Sequence, residues 1–229
     1  MVRRLYELAG TDPARRFSPY CWRARMALAH KGLEADCAVW RFTEGEAIAF
    51  SGQDKVPVLV DGDSAVADSW AIARYLEERY PDRPALFPAG VAAARFVTAW
   101  ADGVLNAALV RLIVSDIPPL LDEPAQAYFI RSREARFGQP LAEVTAGREA
   151  RLPEFRQKLG PMRAVVSEQP FLGGDAPDYR DHAVFGGFQW ARVVSPLDLL
   201  AADDPVFLWR ERMLDLYGGL ARATPALGD

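Results

Sequence analysis

The amino-acid sequence predicts an α/β domain followed by an all-α domain. Through about the first eighty residues, short β-like runs alternate with helical patterns in the order β-α-β, a loop, then β-β-α. Residues 81–90, PDRPALFPAG, contain three prolines and a glycine, a composition typical of a linker. Beyond this linker only helical patterns remain. We therefore place the α/β domain at residues 1–82 and the all-helical domain at residues 83–229.

The predicted elements follow from apolar periodicity and from start and stop residues. Pro19 begins a helix that stops at Gly32, and Asp61 and Gly62 form a turn between two strands. Strands are predicted at residues 5–8, 35–40, 56–60 and 65–67, and a helix runs from Ser69 to the residue before Pro81. In the second domain, helical patterns cover residues 91–117, 178–194 and 205–220 and part of 143–168.

Composition excludes several classes of function. A formal charge of -4 argues against a nucleic-acid partner, because phosphate binding requires a concentrated basic face. Neither an uninterrupted apolar stretch of about 20 residues nor the apolar run of a signal peptide is found. The two cysteines, Cys21 and Cys37, suggest neither a disulfide framework nor a zinc site. We expect a cytoplasmic protein without a metal and with no membrane partner.

The segment FSPYCW, residues 17–22, is the most informative motif. A helix with proline at its first position leaves backbone N–H groups unpaired, and the positive end of its dipole stabilises an anion there. In thioredoxin-fold proteins that anion is the thiolate of a Cys-Pro-Tyr-Cys motif. Ser18 occupies the first position here, so its hydroxyl could hydrogen-bond the thiolate of a bound ligand. Alternatively, Ser18 is only a helix cap.

Two further motifs have a structural and a functional interpretation. Pro57 is tolerated at the start or the edge of a strand, whereas a cis Val56-Pro57 bond would turn the Val56 N–H and C=O outward to pair with a peptide. Asp68 and Ser69 stand at the head of an amphipathic helix, where they could cap it or hold an amino-acid head group. Together, a thiol site, a peptide-pairing edge and a head-group site match the three parts of glutathione.

The whole chain resembles the glutathione transferase superfamily. The segments KVPVLVDGD, ADSWAIARYLEERYPDRPALFP and FLGGDAPDYRDHAVFGGFQW look like its cis-proline strand, its γ-glutamyl site and its helical capping segment. The last contains Asp178 and Asp181 at capping-box spacing. SPYCWRARMALAHKGL, SREARFGQPLAEVTAGREARLP and MLDLYGGLAR are most similar to the bacterial β-etherase branch and its fungal relatives. Those enzymes use glutathione to cleave β-aryl ethers derived from lignin.

The resemblance implies a fold and a set of site residues. The fold is an α/β thioredoxin-like domain plus an all-α domain, usually in a homodimer. Ser18 is implied as the catalytic residue that stabilises the glutathione thiolate. The implied glutathione-binding residues are Lys55, Val56, Pro57, Asp68 and Ser69. The Val56 backbone would pair with the cysteinyl part, Asp68 and Ser69 would hold the γ-glutamyl end, and Lys55 would meet the glycyl carboxylate or be solvated.

The implied reaction joins glutathione, as co-substrate, to a small apolar, aromatic electrophile, with aryl ethers as one candidate. Tyr20, Trp100, Phe188 and Trp190 are candidate pocket residues, although the stripe formed by Phe96, Trp100 and Val104 is also typical of a helical core. We expect Cys21 to be buried, and His30 and His182 to lie at the surface or at caps. Two alternatives are a catalytically silent scaffold and a glutathione-dependent disulfide reductase, which would need a cysteine nucleophile.

Overall fold

The computed structural model describes residues 3–227, and its N-terminal part is a four-stranded sheet with helices. The strands are β1 (Arg3–Leu8), β2 (Ala35–Trp40), β3 (Val58–Asp61) and β4 (Ser64–Ala67), in the spatial order β2-β1-β3-β4. β1 is parallel to β2 and antiparallel to β3, which pairs antiparallel with β4. Helices α1 (Pro19–His30) and α2 (Ser69–Arg79) and a 3-10 helix at Gly45–Ser51 complete this part. The element order predicted from the sequence is confirmed.

The core of this part lies between the sheet and helices α1 and α2. Leu5 and Leu59 face each other across β1 and β3, and both are fully buried. Ala24 and Leu28 of α1 and Ile72 of α2 pack in the same cluster. Burial of such apolar side chains is the main favourable term in folding. It fixes the two helices on the sheet, and with them the N-terminal ends that carry the candidate site.

Helices make up the rest of the described chain after residues 81–90, which form no helix or strand. The helices are α3 (Val91–Trp100), α4 (Ala107–Ile113), α5 (Glu123–Phe137), α6 (Leu141–Thr145), α7 (Leu152–Lys158), α8 (Gly160–Val166), α9 (Tyr179–Val194) and α10 (Pro205–Gly219). A π-helical segment at Ala101–Asn106 joins α3 to α4. This arrangement is a thioredoxin-like part followed by a helical part, as the sequence predicts. The domain boundary itself stays a prediction.

Helix α5 is the element that the sequence analysis missed. Its signals are nevertheless present: Asp122 caps it by accepting a hydrogen bond from the Ala125 N–H, Pro124 occupies its first turn, and Gly138 ends it with a φ of 71°. The helical pattern in residues 143–168 is also divided, because Pro153 and Pro161 begin the separate helices α7 and α8.

Helix α9 is the central helix of the second part, and its residues are almost all buried. The predicted capping box is confirmed. The Asp178 side chain accepts a hydrogen bond from the Asp181 N–H, and the Asp181 side chain accepts one from the Asp178 N–H. Gly186 and Gly187 allow close approach, because a Cβ would collide with the Pro19 carbonyl at Gly186 and with the Asn106 side chain at Gly187. α9 thus holds the N-terminal turn of α1 against the π-helical segment.

The two histidines belong to one cluster, in which His182 is buried and His30, the last residue of α1, is half-buried. The expectation of a surface or cap role is therefore wrong for His182. His182 is fully buried on α9, and its ring lies 5.3 Å from that of His30 on α1. The Tyr217 hydroxyl lies between them, 3.1 Å from Nδ1 of His30 and 2.9 Å from Nε2 of His182. Spacing in the sequence gave no sign of this cluster, because its three members come from α1, α9 and α10.

The continuous helical stretch Val91–Asp116 is long and apolar enough, by length and composition, to cross a membrane. In its most apolar window 44% of the residues are buried inside the fold. The core helix of a soluble protein has the same properties, so the stretch by itself gives no membrane assignment.

Candidate active site

A cavity of about 280 Å³ opens beside the N-terminal end of α1 and is closed on its other side by the π-helical segment and α5. Aromatic side chains form a large part of its wall, seven of the twenty lining residues. The aromatic wall residues are Phe17, Tyr20, Trp40, Phe42, Tyr128, Phe129 and Trp190. Ser18 and the Lys55–Val56 backbone contribute polar atoms to the same wall. A concave, largely apolar site with a few polar groups is the usual form of a small-molecule pocket.

Ser18 is the N-cap of α1 and is buried. Its Oγ accepts a hydrogen bond of 3.3 Å from the Cys21 N–H. Among residues 3–227 the Ser18 hydroxyl donates no hydrogen bond of normal geometry, so it can cap the helix and still donate to a ligand. Its neighbour is the buried Cys21 thiol, whose pKa the Ser18 hydroxyl lowers against the larger effect of burial. The two interpretations of Ser18 are therefore compatible.

The Val56–Pro57 segment lies at the cavity, with Val56 on its wall, and the peptide bond between the two residues is cis. The Val56 N–H and C=O have no hydrogen-bond partner in the described part of the chain, whereas the Pro57 carbonyl accepts from the Asp68 N–H at 3.2 Å. Lys55 is largely exposed and lies 3.8 Å from the equally exposed Asp54. The segment offers a free donor and a free acceptor for an extended peptide.

Asp68 and Ser69 begin α2 next to this segment. Asp68 has a φ of 78°, rare for a residue with a side chain, and its Oδ1 accepts from the Trp70 and Ala71 N–H groups. Asp68 is therefore the cap, and Ser69 is the first helical residue. The Ser69 hydroxyl and N–H have no partner among residues 3–227. Two free donors at a helix N-terminus are suited to a carboxylate.

Two of the four candidate pocket aromatics lie on the cavity wall, namely Tyr20 and Trp190. Trp100 does not line the cavity. Phe96, which belongs to the same stripe of α3, faces solvent and is 76% exposed, so the stripe is directed away from the cavity. Phe188 is buried against Trp209, with ring centroids 5.8 Å apart, and lines a separate cavity of about 390 Å³. The expectation that Trp100 and Phe188 line the cavity beside Ser18 does not hold.

Comparisons with known proteins decide the family. The family model for the N-terminal domain of glutathione S-transferase matches residues 17–79, and the model for the C-terminal domain matches residues 92–203. Together they cover most of the chain. The chain belongs to the glutathione S-transferase family.

Individual members of the family are distant relatives of this chain. The glutathione S-transferase-like protein ustS of Aspergillus flavus is 30% identical over 172 residues, which cover 69% of this chain and 58% of that protein. The chain thus spans less than two thirds of that relative's length.

Solved structures cover the whole fold. Glutathione transferase GSTFuA3 from Phanerochaete chrysosporium is 25% identical, covers 97% of this chain and 94% of its own, and has a TM-score of 0.77. CsGST63524 of Ceriporiopsis subvermispora, solved in complex with glutathione, has a TM-score of 0.81. It is 23% identical and covers 98% of this chain and 99% of its own, a likeness that shows the fold.

Several residues of the candidate site were missed by sequence reasoning. Asp102 and Asn106 reach the cavity from the π-helical segment, and Arg133 and Arg136 reach it from α5. The start and stop signals of α5 could have identified that helix, but no residue pattern marks the π-helical segment. Both elements are distant from α1 in the sequence and reach the cavity only through the tertiary fold.

Arg23 connects α1 to the far wall of the cavity. It is fully buried, its guanidinium lies 2.8 Å from Asp102, and it also donates to the Ala183 carbonyl. The same guanidinium stacks on the Tyr20 ring, 5.0 Å from the centroid. A buried charge is tolerated only when it is paired and hydrogen-bonded, as here. Asp102 is therefore committed to a structural ion pair.

The two cysteines are not placed for nucleophilic chemistry. Cys21 is buried, as predicted, and burial raises its pKa to about 12. Burial likewise raises the pKa of Cys37 to about 12. Thiols with such pKa values carry almost no thiolate at neutral pH. Within residues 3–227, no three His, Cys, Asp or Glu side chains are grouped so as to hold a metal.

Proposed function

We propose that this chain is an enzyme that activates glutathione as a thiolate and directs it to an aromatic electrophile. The observation that carries the proposal is the Ser18 hydroxyl, which caps α1, can still donate its proton and lies on the wall of a cavity rich in aromatic residues. The hydroxyl would donate to the glutathione sulfur, and the α1 N-terminus would add its dipole. Lowering a thiol pKa from about 8.5 towards 7 raises the thiolate fraction at neutral pH about tenfold.

The remaining groups would position glutathione. The Val56 N–H and C=O would pair with the cysteinyl backbone, and the Ser69 hydroxyl and N–H would bind the γ-glutamyl carboxylate. The free Oδ2 of Asp68 is suited to the γ-glutamyl ammonium, because Oδ1 holds the helix N–H groups. Lys55 lies at the cavity wall within reach of solvent, where it would meet the glycyl carboxylate.

The electrophile would occupy the aromatic cavity between α1 and α5. In the proposed reaction the glutathione sulfur forms a bond to the electrophilic carbon, and the leaving group departs with the bonding electron pair and takes up a proton. For an aryl ether of the β-etherase type, the carbon–oxygen bond breaks and a phenol is released. The aromatic wall supports a substrate of this kind.

Two alternatives predict different behaviour. A disulfide reductase needs an accessible thiolate, and the burial of Cys21 argues against it. A silent scaffold would retain the fold but would neither bind glutathione nor turn over electrophiles.

We also propose a cytoplasmic homodimer. Phe50 and Phe96, which are 56% and 76% exposed, are candidates for its interface, and light scattering on wild type and Phe96→Glu tests this.

The experiment combines retention on immobilised glutathione with a panel of aryl ethers, haloaromatics and isothiocyanates. We expect retention, and a glutathione conjugate detected by mass spectrometry. The conjugate is a thioether formed with release of halide from a haloaromatic or of a phenol from an aryl ether, and a dithiocarbamate formed by addition to an isothiocyanate. If aryl ethers are inert while haloaromatics react, the etherase assignment falls and the transferase assignment stands. No retention and no turnover would favour the scaffold.

A further inference from the structure

Arg133 and Arg136 bring two positive charges to the cavity without an acidic partner. No Asp or Glu oxygen in residues 3–227 lies within 4.0 Å of either guanidinium. The acidic residues of the cavity wall are already paired: Asp102 lies 2.8 Å from Arg23, and Asp54 lies 3.8 Å from Lys55. The cavity therefore has an excess of positive charge on its α5 side.

Arg133 is not an ordinary solvated arginine. Its guanidinium stacks over the rings of Phe129 and Phe42, at 4.8 and 5.7 Å from their centroids, and Nη1 donates to the Ser132 hydroxyl. Burial lowers the pKa of Arg133, and the nearby charge of Arg136 acts in the same direction, whereas the Tyr128 phenol opposes them. A partly desolvated cation beside a like charge is unfavourable unless an anion joins them. The stacking also fixes the plane of the guanidinium.

Arg136 adds a second positive charge on the α5 side of the cavity, which faces α1. Burial and the Asp102 carboxylate raise the pKa of Tyr20, and the charges of Arg23 and, to a smaller extent, Arg136 oppose them. Tyr20 is two residues from Ser18, and both lie on the wall of the same cavity. A ligand that reaches from Ser18 across the aromatic wall would therefore meet the two arginines.

We propose that Arg133 and Arg136 form an anion subsite that selects electrophiles with a carboxylate on an aromatic body. This inference rests on the proposed function, because it assigns the class of electrophile that the cavity takes. Planar guanidinium groups bind carboxylates through paired hydrogen bonds, and a stacked guanidinium is already oriented for such binding. The aromatic wall would hold the ring, and the subsite would orient it with its reacting carbon towards Ser18.

The test compares two electrophiles with the same reacting carbon, 4-chloro-3-nitrobenzoate and 4-chloro-3-nitrobenzamide. The kcat/KM of each is divided by its uncatalysed rate with glutathione, which removes the difference in intrinsic reactivity. We expect the wild-type enzyme to prefer the benzoate about tenfold, the effect of one hydrogen-bonded ion pair. The preference should shrink as salt is added.

Variants locate the preference. Arg133→Gln and Arg136→Gln should each bring the benzoate-to-benzamide ratio close to one, mainly by raising the KM for the benzoate. Arg133→Lys should keep part of the preference, because it retains the charge but loses the planar stacking. Arg131→Gln is the matched control: Arg131 is an exposed arginine of α5 that does not line the cavity, and the ratio should not change.

A wild-type ratio near one, or a ratio that Arg133→Gln and Arg136→Gln leave unchanged, overturns the subsite. So does a rise in the KM for glutathione with both electrophiles, because the arginines would then bind the glycyl carboxylate. If glutathione is retained but neither electrophile reacts, titration with the two S-aryl glutathione conjugates replaces the kinetics, and equal affinities overturn the inference. If glutathione itself is not bound, the proposed function fails as well.

Discussion

The hydroxyl of Tyr179 donates a hydrogen bond of 3.0 Å to the main-chain carbonyl of Ser69. This bond joins the first residue of α9 to the first residue of α2, and the Tyr179 ring packs between Trp70 and Phe87, with centroids 5.7 and 5.3 Å away. Tyr179 is fully buried. The helical part of the chain therefore holds in place the residue that we propose binds the γ-glutamyl carboxylate.

Tyr179→Phe tests this connection, because it removes the hydrogen bond and keeps the ring. We expect the free energy of unfolding to fall by about 1 kcal/mol and glutathione affinity to fall severalfold, since Ser69 loses its support. Urea unfolding and calorimetric titration measure the two effects. Tyr75→Phe is the control: it removes the 3.3 Å bond to Asp61 at the other end of α2 and should leave affinity unchanged. Equal affinity losses in the two variants would contradict the connection.

Ser69→Ala separates ligand binding from capping. Asp68 already caps α2, so loss of the Ser69 hydroxyl should change the free energy of unfolding by less than about 0.5 kcal/mol. Glutathione binding should weaken by about 1–2 kcal/mol, because one hydrogen bond to a carboxylate is lost. Calorimetric titration alongside thermal melting gives both values. A stability loss with unchanged affinity would assign Ser69 to the helix alone.

The sequence predicted those parts of the fold that depend on local signals. Pro19 at the start of α1, Asp68 and Ser69 at the start of α2 and the Asp178 capping box each lie where the residue types indicate. The cavity wall was less predictable. Asp102 reaches it through a π-helical segment that departs from α-helical spacing, and Arg133 reaches it through tertiary packing of α5. Neither feature can be recognised from a short stretch of the sequence.

The Asp181 carboxylate is a structural centre of the helical part. It accepts hydrogen bonds from the N–H groups of Leu172, Gly173 and Asp178 and from the Trp209 indole. Asp181→Asn replaces one acceptor oxygen with an NH₂ group, which leaves buried donors without a partner. We expect a loss of about 3 kcal/mol in the free energy of unfolding, measured by urea denaturation.

Asp122→Asn is the control for Asp181→Asn. Asn is as good an N-cap as Asp, and Asp122 caps its helix through the Ala125 N–H bond. Its other contact is a partly exposed ion pair, 3.7 Å from Arg41, so little stability should be lost. Similar losses in the two variants would show that Asp181 acts as an ordinary cap.

The buried histidine cluster predicts a pH dependence of stability. Burial lowers the pKa of His182 well below 6.5, and the neighbouring His30 contributes in the same direction. Below about pH 6.5 the unfolded chain therefore binds a proton that folded His182 does not, so the free energy of unfolding falls as the pH falls. The slope approaches about 1.4 kcal/mol per pH unit for one proton.

His182→Gln should reduce this slope between pH 5 and pH 7. The free energy of unfolding is measured by urea denaturation at pH values about one unit apart. The comparison with wild type is essential, because burial raises the pKa of Asp181 to about 6 and that group acts in the opposite direction. The Asp181 contribution is common to both proteins and cancels. Parallel pH profiles for wild type and His182→Gln would show that His182 does not carry the effect.

Ser18 provides the most direct test of the chemistry. Ser18→Ala removes the proposed hydrogen bond to the glutathione sulfur, and conjugation should fall by about 2–3 kcal/mol in transition-state stabilisation. The pKa of bound glutathione, followed by thiolate absorbance, should rise at the same time. Ser64→Ala, an exposed serine at the start of β4, is the control. Full activity in Ser18→Ala would leave Ser18 as a cap and assign thiolate stabilisation to the α1 amides.

Ser18→Cys should exchange one reaction for another. The helix N-terminus would depress the pKa of the introduced thiol, whose thiolate can attack a glutathione mixed disulfide and release the other thiol. A second glutathione then attacks the enzyme–glutathione disulfide and leaves as oxidised glutathione. Cys21 is buried with a pKa of about 12, so it should not take part, and Ser18→Cys combined with Cys21→Ala should be as active as Ser18→Cys alone. Coupled reductase assays with a glutathionylated peptide measure this activity. If the reductase activity requires Cys21, its thiol is more accessible than its burial indicates, and the argument from burial against a dithiol cycle fails.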